Sequence, residues 1–211
     1  TSHQKPDGDA MGSSLALYHY LIQLGHQVKV IVPTDFPGYF NWMPGVPELW
    51  VYTEQKELAD EWILASDLIC CLDFNILSRI SPMDSIVKEA NKPILLIDHH
   101  LQPDSFECML HDVKSSSTCE LIYRFIEIMD ALPSINIEIA QCIYTGLLTD
   151  TGNFQNGATN KNVFLIVADL MERGLNLQFV QQNLNQNGTE SKLRFLGNTL
   201  LNKMTVRADL G

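Results

Sequence analysis

The apolar positions of the chain follow one pattern before residue 100 and another after it. Before residue 100, short and nearly continuous apolar runs alternate with segments of helical spacing. The predicted strands are residues 27–32, 67–72 and 93–97, and the predicted helices are residues 10–24, 57–65 and 83–90. Nearly continuous apolar runs are typical of buried parallel strands. The alternation predicts an α/β fold whose mainly parallel sheet is flanked by helices.

After residue 100 the spacing is helical almost throughout. The predicted helices are residues 117–130, 135–148, 160–173, 177–184 and 189–203, with a polar turn at residues 185–188. Residues 33–47 are rich in Pro, Gly and aromatic side chains, a composition that predicts a structured loop. We therefore expect an α/β part followed by a helical C-terminal part.

Composition and charge narrow the class of protein. The 211 residues are 45% hydrophobic, enough for a sizeable core, and no run approaches the roughly 18 apolar residues of a membrane span. Without a signal-peptide pattern, the default is a cytoplasmic protein that does not contact a membrane. The five cysteines form no CxxC pair, so we expect buried thiols rather than disulfides or a zinc ribbon.

The chain is strongly acidic. Its formal net charge is -11 with only 14 Lys and Arg, which disfavours long duplex nucleic acid as a ligand. Acidity has a different meaning where carboxylates bind divalent cations, because the metal ions reverse the local field.

Carboxylates and imidazoles occur at four places in the chain. The residues concerned are His3, Asp7 and Asp9 in a Pro- and Gly-containing turn, Asp73 after one predicted strand, Asp98, His99 and His100 after the next, and Asp150. Each alone suits a turn or a hydrogen-bonded loop residue. Two of the places follow predicted parallel strands, at the edge where open α/β sheets bind ligands. If the carboxylates cluster there, they repel one another unless cations lie between them. Oxygen and nitrogen ligands favour Mn²⁺, with Mg²⁺ as an alternative.

Four motifs resemble those of the DHH phosphoesterase family in order and spacing. They are HQKPDGDAMGS at residues 3–13, LDFN at 72–75, DHH at 98–100 and YTGLLTDTGNF at 144–154. The family includes RecJ-like exonucleases, nano-RNases, cyclic-dinucleotide phosphodiesterases and family II inorganic pyrophosphatases. Because the motifs span nearly the whole chain, the combination is far more specific than any one of them.

The resemblance implies a centre of two divalent metal ions. It implies that His3 and Asp7 bind one ion, that Asp9, His99 and Asp150 bind the other, and that Asp73 bridges the two. As catalytic residues, His100 would face the substrate and Asp98 would orient the histidines. Two such ions activate a hydroxide and neutralise charge in phosphoryl transfer.

The resemblance also gives an expected domain organisation. Residues 1–203 are expected to form the DHH catalytic domain, with its first strand truncated before His3. Residues 204–211 are expected to begin a linker or the C-terminal, DHHA1-type substrate-binding domain, which is absent from this chain. Substrate selection is therefore expected to lie largely outside the chain.

The stretch after Asp150 is most similar to the nano-RNase and 3'-phosphoadenosine-5'-phosphate phosphatase (NrnA) type. The implied activity is manganese-dependent hydrolysis of short RNA, dinucleotides and 3'-phosphoadenosine-5'-phosphate. Alternatives are a linear or cyclic dinucleotide phosphodiesterase, a family II pyrophosphatase, and a nucleotide-binding regulator without activity. The regulator is disfavoured because no ligand of the family pattern is missing. A homodimer is an open option.

Several further residues have two interpretations. Four residues precede an apolar helix, a position that favours capping: Ser115, Ser116, Ser117 and Thr118. Of these, Ser116 and Thr118 are also candidates for contact with a substrate phosphate. The remaining histidines, His19, His26 and His111, lie outside the motifs and are interpreted as surface or packing residues. Trp42 could stack on a base, but Trp42 and Met43 are more typical of loop packing.

Overall fold

The computed structural model of the protein describes residues 1–185, 190–207 and 209. The strands are β1 (Ile31–Val32), β2 (Trp50–Val51), β3 (Ile69–Leu72), β4 (Ile94–Asp98) and β5 (Cys108–His111). The helices are α1 (Gly8–Gln23), α2 (Lys56–Ala65), α3 (Asp84–Ala90), α4 (Thr118–Ile128), α5 (Ile137–Asp150), α6 (Lys161–Glu172), α7 (Leu177–Asn185) and α8 (Glu190–Asn202). The α/β prediction with a helical C-terminal part is confirmed.

All strand pairs in the described residues are parallel. β3, β4 and β5 form one sheet in that order, and β1 pairs with β2 separately. Thr1 runs along the free edge of β3, because its amino group donates to the Cys70 carbonyl (2.9 Å) and its carbonyl accepts from the Leu72 amide (2.9 Å).

The sheet lies between two apolar clusters. Leu72 and Ile97 face a core that includes buried residues of α1, α4, α5 and α6. Cys71 and Leu96, one position earlier on the same strands, face a smaller core formed with α2 and α3. Side chains alternate between the two faces of a strand, so both faces of β3 and β4 are covered, as their apolar sequences require.

Helix α1 packs directly against α5 through glycine. A Cβ atom at Gly12 would lie 2.5 Å from the Cys142 carbonyl, and one at Gly146 would lie 2.3 Å from Cys119 Sγ and 2.5 Å from Asp9 Oδ1. Any side chain at these two positions would separate the helices. The close approach brings Asp9 on α1 beside the first turn of α4 and the end of α5.

Two strands were not predicted, and one was predicted too long. β1 covers only Ile31–Val32 because it pairs along that length with β2 alone. β2 is a two-residue strand that follows a loop, and β5 is an edge strand whose Cys108 and Met109 are exposed. Neither presents the apolar run on which strand prediction depends. The exposed Cys108 also corrects the expectation that every thiol is buried, although all five cysteines are free.

Some predictions concern residues that are only partly described. Of the predicted turn at 185–188, residues 186–188 lie outside the described residues, as do residues 208, 210 and 211 of the predicted linker. Within the described ranges, no helix is both long enough and apolar enough to cross a membrane.

Candidate metal centre

The carboxyl ends of β3 and β4 place the second and third motifs side by side. Leu72 and Ile97 are register partners, so Asp73 and Asp98 follow at the same edge of the sheet. The Asp73 amide donates to the Ile97 carbonyl (3.1 Å), and Asp73 itself adopts a left-handed conformation with φ +63°. Asp tolerates that region better than most residues, which suits a turn directly after a strand.

The turn at residues 3–9 contributes the first two polar groups. Asp7 is the N-cap of α1, since its Oδ1 accepts from the amides of Asp9 and Ala10, each at 3.1 Å. His3 Nδ1 donates to the Gln4 carbonyl (2.7 Å), which leaves Nε2 free as a metal ligand. That nitrogen lies 3.9 Å from Asp7 Oδ1 and 3.5 Å from Asp73 Oδ2. We call His3 and Asp7 the outer ligand group; their ligand atoms and one of Asp73 lie within 4.8 Å of one another.

A second group lies deeper. Asp9 is fully buried, and its carboxylate accepts from the amides of Thr118 (2.6 Å) and Cys119 (2.8 Å) at the start of α4. His99 Nδ1 donates to the Ser115 carbonyl (3.3 Å), and its Nε2 lies 3.8 Å from Asp9 Oδ2 and 3.3 Å from Asp150 Oδ2. We call Asp9, His99 and Asp150 the inner ligand group; their ligand atoms also lie within 4.8 Å of one another.

Asp73 stands between the two groups. Its Oδ2 is 3.5 Å from His3 Nε2, and its Oδ1 is 3.6 Å from His99 Nε2. The Thr118 hydroxyl donates to Oδ1 (2.9 Å) and so fixes the rotation of the carboxylate. One carboxylate oxygen therefore faces each group, which is the arrangement needed to hold two cations at once.

The electrostatics of the cluster favour bound cations. Burial raises the pKa of Asp9 well above its usual value, and the nearby Asp73 and Asp150 carboxylates raise it further. Burial also raises the pKa of Asp150, with Asp73 adding to the effect and His99 opposing it. Among the described residues, no Lys or Arg forms an ion pair with these carboxylates. Carboxylate oxygens and imidazole nitrogens packed this way fit divalent cations of the Mn²⁺ or Mg²⁺ kind.

The carboxylates also raise the pKa values of the neighbouring histidines. Burial disfavours the imidazolium of His3, but the adjacent Asp73 outweighs it and raises the pKa of His3. The pKa of His99 is likewise raised, because Asp150 and Asp73 together outweigh burial. Burial works against the charged form of Asp73, but His3, His99 and His100 lower its pKa overall. Metal binding at these residues would compete with protonation of the two histidines.

His100 is oriented by the residue two positions before it. The buried Asp98 accepts from the His100 amide through Oδ2 (3.1 Å) and from His100 Nδ1 through Oδ1 (2.7 Å). His100 Nε2 is the ring nitrogen left for a substrate, and the side chain is 33% exposed. A partly open imidazole of fixed orientation beside clustered metal ligands can donate to a phosphate oxygen or protonate a leaving group.

The two residues proposed for substrate contact have different environments. Thr118 is fully buried, with its hydroxyl engaged by Asp73. The Ser116 amide donates to Glu120 Oε2 (2.7 Å), and its buried hydroxyl has no partner among the described residues. Ser117 is the N-cap of α4, since its side chain accepts from the Glu120 amide (3.1 Å). The capping interpretation thus holds for Ser117, whereas Thr118 fixes the Asp73 and Asp9 carboxylates.

One histidine outside the motifs lies beside the cluster. His111, the last residue of β5, is the register partner of Asp98, and its Nε2 donates to the His100 carbonyl (2.6 Å). Sequence reasoning missed it because a lone histidine in a weakly patterned segment gives no signal, and only the register of β4 and β5 reveals the contact. His26 is exposed, and His19 packs edge-on against Tyr18.

The aromatic loop residue packs within the fold. Trp42 makes an edge-to-face contact with Phe179 of α7 at 5.5 Å between ring centroids, and Met43 is buried. These contacts agree with the loop-packing interpretation and leave no stacking role to infer for Trp42.

Comparison with known proteins points to one family. The sequence profile described as "DHH family, N-terminal domain" matches residues 1–147. The bifunctional oligoribonuclease and PAP phosphatase NrnA of Thermus thermophilus is 29% identical over 204 residues, which cover 94% of this chain and 56% of that protein. The chain therefore spans a little over half the length of this relative.

Two solved structures share the fold. The exopolyphosphatase-related protein from Bacteroides fragilis superposes with a TM-score of 0.95 at 41% identity, covering 99% of this chain and 61% of that one. A candidate family II inorganic pyrophosphatase from Methanococcus jannaschii superposes with a TM-score of 0.63 at 19% identity, covering 87% and 59% of the two chains. The second likeness extends to the fold alone.

Proposed function

The chain belongs to the DHH family, and from this premise we propose that it carries the metal-binding catalytic part of a phosphoesterase acting on short oligoribonucleotides. The observation that carries the proposal is the position of Asp73, whose two carboxylate oxygens face two separate ligand groups. A hydrolase that uses two cations needs a residue in that position, whereas a protein with one structural cation does not.

The proposal assigns the metal ligands as follows. His3 and Asp7 bind one ion, Asp9, His99 and Asp150 bind the other, Asp73 bridges them, and Mn²⁺ is the preferred metal. Two cations held by these residues would supply a water of lowered pKa and would neutralise charge that develops on the phosphoryl group. The protein's own contribution is to hold the ligands rigidly through the Asp7 cap, the α4 amides and the Thr118 hydroxyl.

His100 is the proposed catalytic residue that touches the substrate. Because Asp98 accepts from Nδ1, His100 keeps Nε2 directed toward whatever the cluster binds. When the ring carries a proton on both nitrogens, it would donate from Nε2 to a phosphate oxygen or transfer that proton to the leaving oxygen. Asp98 acts through His100 by fixing its tautomer and its ring orientation.

The proposed substrates are short RNA, dinucleotides and 3'-phosphoadenosine-5'-phosphate. They rest on the name of the Thermus relative, whose similarity extends over 94% of this chain. The net charge of -11 supports a small anion held by metal ions over a long polyanion held by basic side chains. Residues 1–203 are proposed to act as one catalytic domain.

A second candidate activity is hydrolysis of phosphoanhydrides such as polyphosphate or pyrophosphate. The observation that favours it is the 41% identity to a Bacteroides protein described as exopolyphosphatase-related. Two-metal chemistry serves both bond types, so the ligand cluster does not distinguish them. A linear or cyclic dinucleotide phosphodiesterase is a variant of the first proposal, and a regulator without activity is disfavoured by the full set of ligands.

One assay separates these activities. Purified protein is incubated with Mn²⁺ and, in parallel, with a diribonucleotide, 3'-phosphoadenosine-5'-phosphate, a cyclic dinucleotide, pyrophosphate and polyphosphate, and the products are resolved by chromatography. We expect the diribonucleotide to be hydrolysed fastest, and only while metal is present. Faster turnover of polyphosphate would favour the second candidate, and undiminished turnover in excess chelator would refute both.

A further inference from the structure

We propose that His111 is a positioning residue that holds the main chain of His100 in place. The inference rests on the proposed function, since it concerns the histidine assigned to the substrate. Neither the sequence motifs nor the family resemblance assigns His111 a role. The contact that carries it is the 2.6 Å hydrogen bond from His111 Nε2 to the His100 carbonyl oxygen.

His111 completes a set of contacts on one residue. Asp98 accepts from the backbone amide of His100 (3.1 Å) and from its Nδ1 (2.7 Å). His111 donates to the remaining main-chain group, the carbonyl. With the amide, the carbonyl and Nδ1 all engaged by side chains, Nε2 is the polar group of His100 left for a substrate. The contacts come from two neighbouring strands, because Asp98 is the last residue of β4 and His111 is the last residue of β5.

The rest of the loop is held at a different place. Asn75 donates to the Leu101 carbonyl through Nδ2 (2.8 Å), and its own carbonyl accepts from the Asp104 amide (2.8 Å). These bonds fix the loop after His100 but act on other peptide groups. The hold on the His100 carbonyl comes from β5, whose register with β4 sets Asp98 opposite His111.

The chemistry of the position calls for a donor. The partner is a carbonyl oxygen, so the nitrogen must carry the hydrogen, and the His111 ring is only 20% exposed. His111 Nε2 also lies 4.0 Å from Asp98 Oδ2, so its N–H edge faces two oxygens. Replacement by an apolar side chain would leave the carbonyl unpaired and the peptide free to tilt. A shift of about 1 Å in a reacting group can cost roughly a hundredfold in rate.

The test compares two substitutions at one position. His111→Leu removes the donor, whereas His111→Gln keeps an N–H donor at similar reach. Measured with Mn²⁺ and the best substrate of the panel, His111→Leu should lower kcat by about 10- to 100-fold, with KM and Mn²⁺ affinity within about twofold of wild type. His111→Gln should recover most of the lost kcat. His26→Leu, at an exposed histidine, is the matched control and should behave as wild type.

Several outcomes would overturn the inference. They are a His111→Leu enzyme with wild-type kcat, an equal loss in the Leu and Gln variants, or a loss that follows Mn²⁺ affinity. If His111→Leu does not fold, it is replaced in the test by His111→Met, whose side chain fills a similar volume and has no donor. If the wild-type protein hydrolyses none of the substrates, the proposed function fails. The inference about His111 is then tested by the ring ¹⁵N NMR signals of His100 alone. Those signals should shift in His111→Leu and return in His111→Gln; unchanged signals would refute it.

Discussion

The two ligand groups of the metal centre differ in how firmly the fold holds them. The inner carboxylate, Asp9, is fully buried and receives two amides from α4. The outer carboxylate, Asp7, is 60% exposed, and its contacts are with the first turn of its own helix. The inner group joins elements that are distant in sequence, whereas His3 and Asp7 belong to one short turn.

If two cations bind as proposed, this difference predicts that the fold holds them by different means. The inner group is positioned by the fold itself, and burial together with the neighbouring carboxylates raises the pKa values of Asp9 and Asp150. A preorganised cluster of this kind binds tightly, because little ordering remains to be done. The outer group gains less from the fold, so we expect its ion to be the weaker and the first to leave. Substitutions that start with Asp73, the residue facing both groups, test this expected difference in metal affinity.

The largest effect is expected at Asp73. Asp73→Asn removes the charge that faces both groups, and Asn tolerates the left-handed φ of +63° that would strain Ala. Two-metal stabilisation amounts to several kcal/mol, so turnover should fall by roughly a thousandfold or more while the fold persists. Turnover and circular dichroism are measured beside Asp67→Asn, an exposed control. A variant with more than a tenth of wild-type turnover would show that Asp73 does not serve both ions.

The next effect separates the two groups directly. Asp7→Asn keeps the helix cap, because Asn accepts the same amides, but removes a charged ligand from the outer group alone. Calorimetric titration with Mn²⁺ should show the weaker binding event reduced by about a hundredfold and the tighter one preserved. Asp150→Asn should do the reverse. Loss of both events in Asp7→Asn would mean that the groups fill together and that the contrast is wrong.

A smaller effect is expected at the residue that fixes Asp73. Thr118→Val has nearly the same shape but lacks the hydroxyl that donates to Asp73 Oδ1. Mn²⁺ affinity should fall by about tenfold, the low end of the range for residues that orient metal ligands. Ser116→Ala, which loses a hydroxyl without a partner among the described residues, is the matched control and should keep full affinity. If Ser116→Ala instead raises KM, Ser116 contacts the substrate.

The smallest expected effect is on how the thermal stability of the metal-free protein depends on pH. Asp9 and Asp150 have folded pKa values above the ordinary 3.8, and His3 and His99 have values above 6.5, so these four groups bind more protons in the folded state than in the unfolded one. The lowered pKa of Asp73 acts in the opposite sense, but only at pH values below its ordinary one. The stabilising contribution of the four groups is complete below the unfolded pKa values and is lost as pH rises through the folded ones. In chelator, thermal stability should therefore decline as pH rises from about 5, above the ordinary range of aspartate, toward about 8, and less steeply in Asp150→Asn. A melting temperature that rises throughout that range would contradict the raised values.

Much of the centre could be predicted because its residues follow strong local signals. Asp73 and Asp98 come directly after apolar runs that form β3 and β4, and parallel strands bring such positions to one edge. Pro6 and Gly8 indicate a turn at residues 3–9, directly beside the start of an amphipathic helix. Local pattern and fold agree at these places, so the sequence alone locates the cluster.

The supporting contacts could not be predicted, because they depend on register and on helix packing. His111 meets His100 only because β5 pairs with β4 in one register, and β5 lacks the apolar run of a buried strand. Thr118 meets Asp73 across 45 residues of sequence, through the packing of α4 against the sheet. The residues next to His111 and Thr118 in sequence therefore do not predict either contact.

The bonds from α4 to Asp9 join positions 109 and 110 residues apart, and Asp150 lies further along still. A ribosome producing this chain therefore releases Asp9 long before the groups that hold it have been synthesised. Since domains fold as units, the inner group forms only once α5 has emerged, and interrupted products lack it. We therefore expect products that end before α5 to retain less Mn²⁺ than the full chain, because they lack Asp150 and part of the packing that holds Asp9.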